Sequence, residues 1–373
     1  MKKLYALFFM TTATLVGFGF EVSNVRVGEV SPWTNGLVSI FYDVTGPIPP
    51  RAEEYFCEMK VRDLSTGKNY AGDRVNGDCG LWSGTHKVTW DKDVGASGLY
   101  SNSFSASNAV VDVRYVRGDY CIIDLSGGSA ATSYPVSYVD EIPGGDWSDE
   151  YKTTKMVLKR VPKGTFIMGE TTDESHRVTL TKSFYIGIFE LTQKQFRLVM
   201  GDKYVLLLTY GLDDKCPVYD VGNFFRNVRY FGEDSNFLNK LRSRTGLAFY
   251  LPTEAQWEYA CRAGSTTRYC YGDSYDDDYL WCSSNTTRTR TVGTRKANAW
   301  GLYDMHGNVS EMCLSVGEPT PKYGVDPSPW GEVLDHFQLR GGSFKDAADL
   351  CLSSYRCSPV DAVWGVRLII ALP

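Results

Sequence analysis

The chain has 373 residues, more than a single hydrophobic core usually organises, so two domains are expected. Its content of 43% hydrophobic and 22% charged residues is that of an ordinary folded protein and excludes an intrinsically disordered chain. The net charge of −5 provides no positive field for phosphates, which argues against nucleic acid as a partner.

The first twenty residues, 1–20, have the pattern of a secretory signal peptide. Lys2 and Lys3 supply positive charge, and an apolar run from Leu4 to Phe20 follows. Val16-Gly17-Phe18-Gly19 is the nearest match to a cleavage site, and an uncleaved anchor is the alternative. We expect an exported bacterial protein, in the periplasm, on the cell surface or secreted, with no membrane span beyond this signal.

Residues 21–138 contain short runs of alternating apolar and polar residues, without convincing helical periodicity. Period-two alternation between turn-forming residues predicts β-strands with one buried face. We therefore predict an all-β sandwich of roughly seven strands, with Asp63–Lys68 as a hairpin turn. The predicted strand segments include Val22–Val27, Leu37–Tyr42, Lys87–Trp90 and Val110–Tyr115.

Residues 139–152 include Pro143-Gly144-Gly145 and lack apolar periodicity, which predicts a linker to a second domain at 153–373. Helical patterns near Thr192–Met200, Asn223–Arg244 and Glu254–Arg262 are mixed there with short strand signals and long loops. This mixture predicts an α+β domain with much irregular structure. The chain is thus expected to be a multidomain protein.

The best-defined element is the helix predicted within Leu251–Gly264. Thr253 can accept a hydrogen bond from the Gln256 backbone while the Gln256 side chain reaches back, a capping box. Gly264 follows the last periodic residue, where a left-handed residue commonly ends a helix. Helical spacing places Trp257 and Cys261 on one face.

Several compact motifs follow one another in an order typical of a known family. From about Met156 to Leu372 the chain resembles the formylglycine-generating enzyme family, also called the sulfatase-modifying-factor domain, which implies a C-type-lectin-like fold. The resemblance does not decide activity, because one fold can host many functions. The motifs are Pro162–Gly169, His176–Leu180, Glu190–Phe196, Leu251–Gly264, Gly301–Glu311 and Arg340–Phe344.

The family's enzymes oxidise a sulfatase cysteine to formylglycine, with copper(I) held by two cysteines after the Arg-Gly-Gly-Ser-Phe motif. The resemblance places the second of these cysteines at Cys351 and the first at Asp346. Copper(I) is a soft cation that prefers thiolates, so a carboxylate at Asp346 is an unsuitable ligand. Copper is therefore not expected as a cofactor, and Cys351 alone is left as a catalytic candidate.

Ten cysteines after an export signal favour disulfides. The resemblance implies a bridge between Cys261 and Cys357, which match a structural disulfide of the family's enzymes. It also makes Cys313 and Cys351 candidates for a second bridge. Connectivity remains open on the sequence alone.

The resemblance also implies calcium in the block that runs from Asp304 to Glu311. Its ligands would be the side chains of Asp304 and Glu311 and the backbone carbonyls of Gly307 and Val309, the hard oxygens that calcium prefers. The alternative is a solvated loop with two incidental acids. The four histidines, His306 among them, lack the spacing of a metal-dependent catalyst and are interpreted as surface or loop residues.

The resulting hypothesis is an exported binding or recognition module that lacks the copper site. Its partner would be a protein or glycan ligand, and the binding surface would lie on the segment Lys345–Val363 and the adjoining Trp364. A core position is the alternative for Trp364. The alternative function is a copper-dependent oxidase that converts a sulfatase cysteine to formylglycine, with Cys351 and Cys357 as ligands. The predicted surface residues are Lys345, Asp346, Asp349, Leu352, Ser353, Tyr355 and Trp364.

Overall fold

The computed structural model of the chain describes residues 13–14, 20–30, 37–50, 52–64, 69–71, 75–77, 79–91, 109–170, 175–202, 210–220, 237–314, 337–357 and 363–372. Within these ranges, no helix has the length and apolar character needed to cross a membrane. Nearly all of the signal segment predicted at 1–20 lies outside the described residues.

The chain forms two compact units. The first consists of Met1–Gly118, Arg229–Ala248 and Ala371–Pro373, and the second of Asp119–Val228 and Phe249–Ile370. The division thus falls before the boundary expected at residue 138. The reason is that residues 120–124 and 136–139, on either side of a turn, pair as strands of the second unit's main sheet.

Two sheets build the first unit. The order of the five-stranded sheet is β1-β2-β3-β7-β6, and that of the three-stranded sheet is β5-β4-β8. The strands are β1 (Ala13–Thr14), β2 (Glu21–Val30), β3 (Leu37–Thr45), β4 (Phe56–Asp63), β5 (Asn69–Ala71), β6 (Val75–Gly77), β7 (Gly84–Asp91) and β8 (Ala109–Val116).

Period-two alternation places the core of this unit between its two sheets. On β3, Val38, Ile40, Tyr42 and Val44 are buried, whereas the residues between them are not. They pack in one cluster with apolar residues of β4 and β8, such as Met59 and Val113 of the other sheet. The predicted β-sandwich is confirmed. Strands β4 and β5 pair antiparallel, and most of the turn predicted at Asp63–Lys68 lies outside the described residues.

The second unit contains three sheets. The largest has the order β10-β9-β11-β14-β20-β15, a second pairs β12 with β13, and a third has the order β18-β17-β16-β19. The strands are β9 (Tyr120–Asp124), β10 (Val136–Val139), β11 (Lys155–Val161), β12 (Gly164–Met168), β13 (His176–Leu180), β14 (Phe184–Gly187), β15 (Phe249–Tyr250), β16 (Ser310–Leu314), β17 (Phe337–Arg340), β18 (Arg356–Cys357), β19 (Trp364–Gly365) and β20 (Ile369–Ala371).

Three α-helices lie in the described ranges: α1 (Gln193–Met200), α2 (Phe237–Thr245) and α3 (Glu254–Arg262). Both α1 and α3 begin with a complete capping box, the former at Thr192 and the latter at Thr253. Left-handed backbone conformations follow α3 at Ala263, with φ of 46°, and at Gly264, with φ of 91°. The described helix α2 belongs to the first unit and starts at Phe237, whereas part of the predicted span Asn223–Arg244 lies outside the described residues.

Candidate functional site

Helix α3 supplies the buried carboxylates of Glu254 and Glu258 and the buried indole of Trp257 to the second unit. The Glu258 carboxylate makes an ion pair with Arg340, and its Oε1 also accepts hydrogen bonds from Arg262 Nε and the Gly169 backbone, each at 2.9 Å. The Arg340 guanidinium further donates to the backbone oxygens of Ser354 and Tyr355. This network fixes both ends of the segment that follows β17.

The turn after Arg340 depends on two glycines in left-handed conformations, Gly341 with φ of 87° and Gly342 with φ of 69°. A Cβ atom at Gly342 would lie 2.6 Å from the Cys351 sulfur and 2.8 Å from the Leu350 carbonyl oxygen. The glycine therefore allows the loop that contains Cys351 to pack directly onto the turn.

Asp346 folds back onto this turn. Its Oδ2 atom accepts hydrogen bonds from Ser343 Oγ at 2.7 Å and from the Ser343 backbone N–H at 2.8 Å. The Ser283 backbone N–H donates to the Asp346 carbonyl oxygen at 2.9 Å. The Asp346 carboxylate therefore acts as a local cap.

Cys351 lies in an apolar environment. It is fully buried and packs in a cluster with Leu280 and Cys282, beside the partly buried Tyr271 and Ala348. Burial, with a further contribution from the Asp346 charge, raises the pKa of the Cys351 thiol well above its ordinary value. Among the described residues, no group of three His, Cys, Asp or Glu side chains is arranged to hold a metal ion. The residues at positions 346 and 351 do not fit a copper(I) site, because one is a capping carboxylate and the other a protonated buried thiol.

Cys261, Cys357, Cys313 and Cys351 are free thiols, so neither expected bridge is present in the structure. Cys261 Sγ lies 3.7 Å from both the Met305 carbonyl oxygen and His306 Nε2. The pairings Cys261–Cys357 and Cys313–Cys351 stay predictions.

The residues expected to bind calcium have other partners. Both carboxylate oxygens of Glu311 accept hydrogen bonds from Arg367, the shortest at 2.6 Å, and Oε2 also accepts from Trp257 Nε1 at 2.6 Å. Asp304 Oδ2 accepts from the Gly293 backbone N–H at 2.6 Å. Calcium requires six to eight oxygen ligands at about 2.3–2.6 Å. One of the expected ligands, the Glu311 carboxylate, is already bound and neutralised by the Arg367 guanidinium. This set of residues therefore does not fit calcium in the expected manner.

Asp304 and Glu190 are buried acids beside the Glu311–Arg367 pair. Burial raises the pKa of Asp304 to about 6, and Asp304 Oδ1 is a buried oxygen without a hydrogen-bond partner. Burial, with the charges of Asp304 and Glu311, also raises the pKa of Glu190 well above its usual range. Glu190 accepts hydrogen bonds from Asn308 Nδ2 at 2.6 Å and from the Val309 backbone N–H at 3.1 Å. Its part in this acid cluster was not predicted.

His306 lies in a loop, one of the two positions expected for it, but it is buried and not at the surface. Nε2 accepts a hydrogen bond from the Cys270 backbone N–H at 3.2 Å, so Nδ1 carries the proton and donates to the Cys351 carbonyl oxygen at 2.6 Å. Burial lowers the pKa of His306 to about 4, which keeps the ring neutral. The side chain thereby joins the Cys270 and Cys351 segments.

The predicted binding surface is only partly exposed. Lys345 and Asp349 are exposed, and Asp346, Tyr355 and Trp364 are half-buried. Leu352 and Ser353 are buried, at 4% and 0% exposure, so placing them on the surface was wrong. The reason is that the Ser353 backbone N–H donates to the Arg268 carbonyl oxygen, which draws this part of the loop inward. Residues 358–362 of the predicted segment lie outside the described residues.

The comparison with protein families agrees with this architecture. Residues 146–370, more than half of the chain, match the family model of the sulfatase-modifying factor enzyme 1-like domain. The chain belongs to this family. The resemblance inferred from the motifs is confirmed, as is the placement of the family domain in the second part of the chain.

The proteins similar to this chain differ in how much of their length it matches. The chaperone protein LppX of Paenibacillus barcinonensis is 30% identical over 197 residues, covering 42% of this chain and 70% of that protein. The formylglycine-generating enzyme of Mycobacterium tuberculosis is 37% identical over 92 residues, covering 21% of this chain and 30% of the enzyme. The solved structure of PvdO from Pseudomonas aeruginosa has a TM-score of 0.50 and 23% identity, covers 62% of this chain and is itself covered completely, which shows the fold alone.

Proposed function

We propose that the family domain of this protein is an exported recognition module for a protein or glycan ligand, and that it does not catalyse copper-dependent oxidation of a cysteine. The observation that carries this proposal is the hydrogen bonding of Asp346, whose carboxylate caps Ser343 at the position where the family's enzymes have a copper-binding cysteine. The relative from Paenibacillus is named a chaperone, which is a binding function.

The chemistry of the loop supports the same conclusion. Copper(I) chemistry of this kind needs two accessible thiolates, because soft ligands stabilise the reduced metal. Cys351 is buried, and burial holds its pKa above its ordinary value, so the thiol stays protonated near neutral pH. The alternative pair of Cys351 and Cys357 meets the same obstacle, since burial also raises the pKa of Cys357.

The surface proposed for recognition consists of the exposed part of the loop. Lys345 Nζ donates to Tyr210 Oη at 2.9 Å and lies 4.1 Å from the centre of the Tyr210 ring, which holds the lysine in place. Asp349 and Tyr355 lie farther along the same loop. The network around Arg340 gives this loop a rigid base.

The test is the oxidation of a sulfatase cysteine peptide, followed by mass spectrometry after incubation with copper(I), oxygen and reductant. We expect no formylglycine from the unmodified protein. The variant Asp346→Cys restores the thiol at the ligand position, and Asp349→Cys is the matched control that adds a thiol elsewhere in the loop. Turnover by the unmodified protein would establish the oxidase alternative and overturn the proposal.

A further inference from the structure

The second unit contains an open cavity of about 330 Å³, whose lining residues precede the proposed recognition loop in the sequence. Its walls come from two segments, residues 211–216 and residues 281–294. A volume of this size is at the lower end of the range for small-molecule sites. The lining includes Trp281, Arg288, Arg290, three threonines and one acid, Asp213.

The guanidinium groups of Arg288 and Arg290 have no protein acceptor in the part of the chain that the structure describes. The hydrogen bonds made by these two residues involve their backbone atoms. By contrast, the guanidinium groups of Arg262, Arg295, Arg340 and Arg367 each make an ion pair with a carboxylate. Two guanidiniums that line one cavity without acceptors leave several N–H donors available to a ligand.

Arg290 is held in place from both ends. Its backbone N–H donates to Asn308 Oδ1 at 2.9 Å, and its carbonyl oxygen accepts from Asn308 Nδ2 at 3.3 Å. Its guanidinium carbon lies 4.8 Å from the centre of the Trp281 ring, and Trp281 Nε1 donates to Thr294 Oγ1 at 3.2 Å. A guanidinium that already stacks on an aromatic ring loses less entropy when it binds an anion.

The one acid in the lining does not neutralise this charge. Asp213 Oδ1 accepts a hydrogen bond from the Lys215 backbone N–H at 2.8 Å, which turns that oxygen towards its own loop. Burial is the main cause that raises the pKa of the Cys216 thiol to about 11. The charge of Asp213 raises this pKa further, and the charge of Arg288 lowers it, so both groups lie near the thiol. Two arginines against one aspartate leave the cavity positive.

We propose that this cavity binds an oxyanion, a carboxylate, sulfate or phosphate group, between the guanidiniums of Arg288 and Arg290, alone or as the acidic group of a sugar-sized ligand. Arginine forks match the geometry of such groups and bind them through charge-assisted hydrogen bonds. The inference deepens the proposed recognition function, on which it rests, by naming the chemical class of one ligand.

The test is calorimetric titration of the full chain with inorganic phosphate, inorganic sulfate, glucuronate and glucose. We expect an anionic probe to bind, glucose not to bind, and added salt to weaken binding. Arg288→Ala and Arg290→Ala should each weaken binding about tenfold or more, because each removes a charge-assisted contact. Asp213→Asn should strengthen binding, because it removes the opposing charge. Lys296→Ala is the matched control, since it removes one positive charge from a side chain that does not line the cavity.

Binding of an inorganic anion without glucuronate, or the reverse, supports the site and identifies the source of the anion. Failure of every anionic probe to bind, or binding that neither arginine variant weakens, would overturn the inference. Neither result bears on the oxidation assay, so failure of the cavity and failure of the proposed function can be told apart.

Two cysteines of the first unit, Cys57 and Cys79, lie at its core. Cys57, on β4, belongs to the buried cluster between the sheets, and the partly buried Cys79, which lies between β6 and β7 of the other sheet, packs against the same cluster. The neighbouring Cys79 is also the main cause that raises the pKa of the Cys57 thiol above its ordinary value. The Tyr115 hydroxyl donates to the Gly80 carbonyl oxygen at 2.8 Å and lies 3.1 Å from the Tyr42 hydroxyl, which is 3.8 Å from Cys57 Sγ. These contacts link Cys57 to the segment that contains Cys79 at the sandwich core.

We infer that Cys57 and Cys79 are the site of a disulfide that links the two sheets. The partly exposed Cys79 would attack an external disulfide such as oxidised glutathione, and Cys57 would then displace the glutathione from the mixed disulfide. Overall, two protein thiols and one external disulfide are converted to one protein disulfide and two external thiols.

The test starts from reduced protein, which is treated with oxidised glutathione, denatured and alkylated. Peptide mapping should show Cys57 and Cys79 unlabelled and joined to each other. In the Cys79→Ser variant, Cys57 should become labelled, whereas in the control Cys121→Ser the bridge should still form. Labelling of both residues in the unmodified protein, or glutathione retained on each, would overturn this inference.

Discussion

Arg367 donates to both carboxylate oxygens of Glu311, and this ion pair is almost completely buried, with side-chain exposures of 0% and 1%. The remaining Arg367 donors bond to the carbonyl oxygens of Gly187, Ile188 and Tyr303. Strand β16 and the segment before β20 are thereby tied to β14 and to the loop that precedes β16.

Replacing Glu311 with glutamine should strongly destabilise the second unit. The side-chain amide of Glu311→Gln keeps an oxygen that can accept from Trp257, but the buried Arg367 then lacks its counter-charge. Leaving a buried charge uncompensated costs about 3–5 kcal/mol. Urea unfolding followed by tryptophan fluorescence measures the difference in free energy.

The matched control is Glu170→Gln, which removes one partner of the exposed Arg268–Glu170 pair, whose side chains are 45% and 36% exposed. An exposed pair contributes at most about 1 kcal/mol. Equal effects of the two substitutions would contradict the central role given to the Glu311–Arg367 pair.

Calcium should not stabilise the protein. Because Arg367 and Trp257 already occupy the Glu311 carboxylate, the ion would have to break a buried pair in order to bind. We expect the same melting temperature in excess calcium and in chelator. A rise with calcium that is lost in Asp304→Ala would show instead that the ion displaces Arg367.

The two capping threonines give a more local test. Thr253→Ala and Thr192→Ala each remove the hydroxyl that accepts from the backbone N–H three residues later, at 3.1 Å in α3 and 3.2 Å in α1. Each should cost about 1 kcal/mol of stability. Serine keeps the hydroxyl, so Thr253→Ser should retain most of the stability that the cap contributes. Equal losses of stability for the alanine and serine variants would assign the effect to the methyl group of threonine.

The sequence was most informative where structure depends on neighbours in the chain. The bounds of α3 and its capping box were predicted because Thr253 and Gln256 are three residues apart. The partners of Glu190 and Arg367 could not be predicted, because Asn308 lies 118 residues from Glu190 and Glu311 lies 56 residues from Arg367. The burial of His306 was missed for the same reason, since it depends on Cys351, 45 residues away.

The stability of the protein should depend on pH through the buried acid Asp304. Its pKa is raised from 3.8 to about 6 in the folded protein, mainly by burial. Between these two values the folded state binds more protons at this site than the unfolded state does, so the contribution of Asp304 to stability falls as pH rises. Above about pH 6 the ionised, buried carboxylate lowers the stability by roughly 3 kcal/mol relative to a group without the shift.

The variant Asp304→Asn cannot ionise and therefore lacks this dependence. We expect its stability relative to the unmodified protein to increase by roughly 2.4 kcal/mol between pH 4 and pH 7. Urea unfolding of both proteins at several pH values, in chelator, measures this difference and cancels the titration of other groups. The burial of His306, which lowers its pKa to about 4, has the opposite effect, because stability then rises with pH up to the ordinary value of 6.5; this contribution is the same in both proteins and cancels in the difference. A pH-independent difference between the unmodified protein and Asp304→Asn would mean that Asp304 is ionised with an ordinary pKa, and that a cation or water supplies the partner that Oδ1 lacks.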